Sequence, residues 1–177
     1  MLNLSELPDE FLNQLPFEDG TWQYATVCEL STTSEFWNRA SLVILSKSHT
    51  SHPAAALLYL LQKEAKFLSL WEDEWEVNTP TVEEFITHLS IWGRFTNSTG
   101  KEVPVQKFWE RYAATINGIQ AEPSFEYSEE GKVKPFTARL VKEEIEQVFC
   151  FDEEWNEQNY FISTGTEWFL FNWVTMA

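Results

Sequence analysis

Residues 159–174 read NYFISTGTEWFLFNWV, and the break at Thr164-Gly165 between two runs of β-branched and aromatic residues decides the fold class. Runs of this composition suit the pleated, packed surface of a strand, and a short Gly-containing link turns one strand back on the next. A hairpin of 159–163 with 167–174 is expected. Upstream, as far as Gly118, the texture is the same. Runs rich in Phe, Tyr and Val at 124–128, 132–141 and 145–151 are separated by turn clusters such as Ser128-Glu129-Glu130-Gly131, and each is expected to be a strand. Within 141–149, Val141, Ile145 and Val148 also satisfy a helical period, so helix and strand both stand open there.

Before Gly118 the period is helical. Pro104 opens a helix that places Val105, Phe108, Trp109, Tyr112 and Ile116 on one side, and Asn117-Gly118 stops it. Thr81 and Glu84 have the spacing of a capping box, ahead of a stripe of Val82, Phe85, Ile86, Leu89 and Trp92. Pro53 suits the first position of a helix running to about residue 71, whose apolar first half predicts a central location. Pro8 begins a short amphipathic helix carrying Phe11, Leu12 and Leu15. After Asp19-Gly20, residues 21–30 alternate as a strand with apolar residues on both faces, which should join the same sheet. Ser34 is placed to cap a helix through Phe36, Trp37 and Ala40, while 42–45 either ends that helix or forms a buried strand. The expected fold is α+β: an antiparallel sheet formed mainly by the C-terminal third, packed against helices from the middle of one domain spanning 1–177.

Composition narrows the function classes. Of the 177 residues, 44% are hydrophobic, with nine Trp and 14 Phe, enough apolar material to build a core and to exclude disorder for most of the chain. The net charge of −16 would repel a polyanion or an anionic membrane, which argues against direct nucleic-acid binding. The excess is segregated: residues 1–38 carry −7, 39–121 carry −1 and 122–177 carry −8. The stretch before Pro16 lacks the basic start and apolar core of a secretory signal, and the longest apolar run, 53–61, is too short to span a membrane. Cytosolic residence is expected, with Cys28 and Cys150 as buried thiols and the Asn97-Ser98-Thr99 sequon unused.

No catalytic or cofactor signature emerges. His49 and His52 stand three apart but lie in a helix-entry loop, so no metal is expected there. His88 sits on the flank of its helical stripe and reads as a structural histidine. Ser98-Thr99-Gly100-Lys101 has the ending of a phosphate loop, but Phe95 and Glu102 stand where that loop needs Gly and Ser or Thr. What stands out is a pair of acidic-aromatic clusters. Trp71, Glu72, Asp73, Glu74 and Trp75 form the first, and Asp152, Glu153, Glu154 and Trp155 the second. Carboxylates steer a basic partner and an indole offers it a cation–π surface. The competing reading packs the tryptophans into the core. The expectation is an acidic protein-binding module, of the inhibitor, antitoxin or immunity kind, with a basic protein partner and no cofactor. A small hydrolase using His49, His52 or His88, or a structural subunit of a larger assembly, are the alternatives.

Overall fold

The C-terminal run folds as its sequence predicts. In the computed structural model, which describes residues 1–4, 7–10, 12, 22–30, 37–70, 72–91, 95, 97–119, 124–127 and 139–176, Glu157–Thr164 and Glu167–Met176 pair antiparallel across Gly165 and Thr166. The Thr164 hydroxyl closes the turn by accepting the Glu167 N–H at 3.0 Å. In chain order the strands are β1 (Leu2–Asn3), β2 (Trp22–Leu30), β3 (Trp37–Ser46), β4 (Thr99–Glu102), β5 (Ser124–Tyr127), β6 (Ile145–Glu153), β7 (Glu157–Thr164) and β8 (Glu167–Met176). The helices are α1 (Pro53–Phe67), α2 (Val82–Ile91) and α3 (Val105–Gly118). All these strands join one antiparallel sheet in the order β1-β4-β6-β7-β8-β3-β2-β5, so the fold is α+β.

Both faces of this sheet are covered, and the side chains divide with the period of two that a strand imposes. Leu42 and Ile44 of β3, Tyr160 and Ile162 of β7, and Phe169 and Phe171 of β8 pack with Phe108 and Tyr112 of α3. Val43, Leu45, Phe161, Trp168 and Leu170 face the other way, onto α1. Double coverage explains why these strands read as continuous apolar runs. It also corrects the helix expected through Phe36, Trp37 and Ala40: the chain is already in β3 from Trp37, because Ala40, Leu42 and Ile44 are buried on one face and Val43 and Leu45 on the other. The open choice at 141–149 resolves as one 3₁₀ turn, Lys142–Glu144, followed by β6.

Helix α1 is the centre of the molecule. Every residue from Ala54 to Ala65 is buried, between the sheet and a cover formed by Leu2, Leu4, Leu12, Val82, Phe85 and Leu89. It ends before the expected residue 71, in a Schellman closure: the Ser69 N–H donates to Lys66 O at 3.1 Å and the Leu70 N–H to Ala65 O at 2.8 Å. Ser69 takes the left-handed conformation this requires, at φ 56. Helix α2 starts with the expected capping box, the Glu84 carboxylate accepting the Thr81 N–H at 2.8 Å and Thr81 Oγ1 accepting the Glu84 N–H at 3.1 Å. Trp71, Trp92, most of the amphipathic segment after Pro8, the turn at 128–131 and residues 132–138 of the strand expected at 132–141 lie outside the described residues, and 139–141 are turn and irregular chain rather than strand. Among the described residues, no helix is long and apolar enough to cross a membrane.

Candidate functional site

The first acidic-aromatic cluster builds a groove. After α1 closes at Ser69 the chain runs through Glu72 into a single 3₁₀ turn, Asp73–Glu76, which lies against α2. Trp75 is half-buried there, its indole edge-on to the rings of His88 at 4.8 Å and Phe85 at 6.1 Å. His88 is clamped: Nε2 meets the Leu70 carbonyl at 2.7 Å and Nδ1 meets Glu72 Oε1 at 3.0 Å. Between this turn and α2 runs a groove of about 510 Å³ in which Glu72, Glu74, Glu83 and Glu84 surround Trp75 and Ile91. Ile91 is 74% exposed, so the groove has an apolar rim on its α2 side. The Glu84 carboxyl is held below the usual carboxylate range by hydrogen bonds from the Thr81 N–H and hydroxyl, and stays anionic.

The second cluster is divided by the sheet. Glu153, at the end of β6, reaches α3, taking Lys107 Nζ at 2.6 Å and Arg111 Nε at 3.2 Å. Burial raises its proton affinity, but the hydrogen bonds and charges of Lys107 and Arg111 outweigh that and leave the carboxyl below the ordinary glutamate value. Asp152 turns the other way and is buried at 3% exposure, so it is not the surface acid that its sequence context suggests. Only Glu154 and Trp155 stand free in the turn to β7, Trp155 at 76% exposure. Beside them a hollow of about 410 Å³ is lined by Asn97, Lys101, Lys107, Cys150 and Glu154. Burial, reinforced by the charge of Glu153, pushes the Cys150 thiol up to about 11, which makes it a poor nucleophile at neutral pH.

The two clusters therefore do not form one face: Glu72 and Trp75 pack with α2, whereas Glu153 reaches α3 across the sheet. The first cluster instead recruits Glu83 and Glu84, of which the sequence displays only Glu84, as a capping-box residue. Their meeting depends on how the 3₁₀ turn docks, which no local pattern encodes. His52 caps α1, its Nδ1 accepting the Ala55 N–H at 3.4 Å, and His49 is an exposed turn residue. Among the described residues, no three His, Cys, Asp or Glu side chains are grouped to hold a metal ion. Comparison with known proteins gives no match, whether to family models, to curated protein sequences or to solved structures.

Proposed function

We propose that this chain is an acidic protein-binding module whose groove beside α2 takes a Lys- or Arg-bearing segment of a basic partner, as an inhibitor, antitoxin or immunity protein would. The observation that supports it is the groove itself, where Glu72, Glu74, Glu83 and Glu84 frame the apolar surface of Trp75 and Ile91. A partner's cation meets carboxylates while its methylene stem lies on apolar wall. The net charge of −16 speeds the encounter at long range. Glu154 and Trp155 offer a second, smaller contact at the β6–β7 turn. In this reading the module works in the cytosol and leaves nucleic acid alone.

The hydrolase alternative asks for a histidine converging on a pocket, and His88 does line the groove. Its two ring nitrogens are already engaged by Leu70 and Glu72, leaving neither to move a proton for a substrate. Binding is the chemistry this arrangement suits. The test is anisotropy titration with a fluorescein-labelled, Lys- and Arg-rich amphipathic peptide at rising salt. Glu74→Gln with Glu83→Gln should weaken binding about tenfold and flatten the salt dependence. The control pair Glu143→Gln with Glu144→Gln, on the distant 3₁₀ turn, should change little. Equal losses in the two double variants would reduce the binding to bulk charge and end the groove reading.

A further inference from the structure

Across the α1 face of the sheet runs a row of buried polar side chains, one from each of four adjacent strands. The register sets Ser41 of β3 opposite Asn172 of β8, Asn172 opposite Asn159 of β7, and Asn159 opposite Asp152 of β6. From above, α1 lowers Glu64 into the row, its carboxylate accepting Ser41 Oγ at 3.2 Å and the Asn172 amide N–H. At the other end Asp152 accepts Asn159 Nδ2 at 3.3 Å and the Asn97 amide, while Glu157 accepts Asn159 Nδ2 at 2.7 Å. The row is nearly mirror-symmetric: carboxylate, amide, amide, carboxylate.

Its centre is incomplete. The carboxylates fix the orientation of both amides, because only the NH₂ group can face them. Asn159 turns its NH₂ toward β6 and its own strand, and Asn172 turns its NH₂ toward α1 and β3. The two Oδ1 atoms are left on the boundary shared by β7 and β8. Neither has a hydrogen-bond partner among the described residues, and the two asparagines are 0% and 2% exposed. An acceptor buried without a donor is costly, and here two stand on directly opposed residues. Each amide donates to a carboxylate, which polarises its oxygen further. Glu64, 5% exposed, is held by neutral donors and has no ion pair among the described residues. A water would serve the two oxygens and leave that charge uncompensated.

We propose that the Asn159–Asn172 pair is a binding site for an oxygen-seeking metal cation, of the sodium, potassium or calcium kind, seated between β7 and β8 beneath α1. Amide oxygens and nearby carboxylates are the donors such ions take. The site needs no trio of acidic, His or Cys ligands. The row reaches the surface at Asn97, which is exposed and donates to Asp152. The inference is independent of the groove.

Thermal melts test it. Protein treated with chelator and exchanged into choline chloride is compared in sodium, potassium and calcium chloride at matched ionic strength. One of these should raise the melting temperature saturably, with one ion bound by calorimetry, by roughly 5–10 °C at a hundred times its dissociation constant. Asn172→Asp, which adds a carboxylate at the centre, should melt lower than wild type in choline and be rescued by calcium at about tenfold lower concentration. Asn159→Ala should lose the metal-induced rise while melting cooperatively, and it locates the site even if Asn172→Asp does not fold. Identical wild-type melts in all four salts would mean a buried water only and overturn the proposal. A saturable rise that survives in Asn159→Ala would place the ion elsewhere on the anionic surface and overturn it equally.

Discussion

Ser69 holds a left-handed backbone at φ 56 so that α1 can close, a conformation that costs an L-residue roughly 1–2 kcal/mol and glycine almost nothing. Ser69→Gly should therefore stabilise the fold by about 1 kcal/mol in urea melts, part of the gain being returned through the freer unfolded chain. Gly100 shows the opposite constraint. A Cβ there would lie 2.6 Å from Cε2 and Cζ of Phe151, whose ring packs on Phe95 at a centroid distance of 4.6 Å. Both rings are buried, so the clash has nowhere to go, and Gly100→Ala should destabilise by about 1–3 kcal/mol in the same assay. The glycine of the Ser98–Lys101 stretch is thus there for an aromatic ring, not for a phosphate. Trp75 and Trp155, the described cluster tryptophans, should separate cleanly. Trp155→Ala should change stability by no more than about 0.5 kcal/mol, because the indole is 76% exposed. Trp75→Ala should cost on the order of 2 kcal/mol, since it removes packing against Phe85 and His88. Thermal melts of the pair read this directly.

Helix α3 is tied to β6 by charge as well as by packing, and the tie has a pH signature. Lys107 and Arg111, one turn apart, converge on Glu153, which titrates below its unfolded counterpart. Its contribution is full above the unfolded glutamate value and fades as pH falls through the folded one. Because both cations are half exposed, Glu153→Gln should cost only about 0.5–1 kcal/mol at pH 7. The gap between wild type and variant in denaturant melts should close as the solution is acidified through the carboxylate range. Which elements can be read from the chain follows from how local their determinants are. The α2 capping box lies within four residues, the α3 stripe within three turns, and the β7–β8 hairpin needs only its own turn. The start of β3 is hidden in the sequence because Ser34 resembles a helix cap, and only burial on both faces turns Trp37–Leu42 into strand. The burial of Asp152 is hidden by a register shift in β6. Between Cys150 and Asp152 the pairing with β7 slips, and the acid lands beside Asn159 on the α1 face. The groove is half legible: its acids and Trp75 stand out in the sequence, but its second wall comes from the first turn of α2.

Taken as a whole, the molecule carries −16 on 177 residues, and like charges crowded by folding oppose it. Raising choline chloride from about 10 to 300 mM, where the screening length shrinks from roughly 30 to 6 Å, should therefore raise the melting temperature smoothly and without saturation. A fall in melting temperature over that range would show that ion pairs such as Glu153 with Arg111 outweigh the repulsion. The strand order bears on biosynthesis as well. Strand β8 lies between β7 and β3, and β3 meets it along its full length from Trp37 to Ser46. Until the ribosome has released residues 167–176, β2, β3 and β5 can form one partial sheet and β1, β4, β6 and β7 another, each ending in an open edge. Those edges are flanked by Leu42, Val43 and Ile44 on one piece and Tyr160, Phe161 and Ile162 on the other, apolar segments of the kind that recruit foreign strands. Emergence of β8 is thus the step that joins the two open-edged pieces into one sheet.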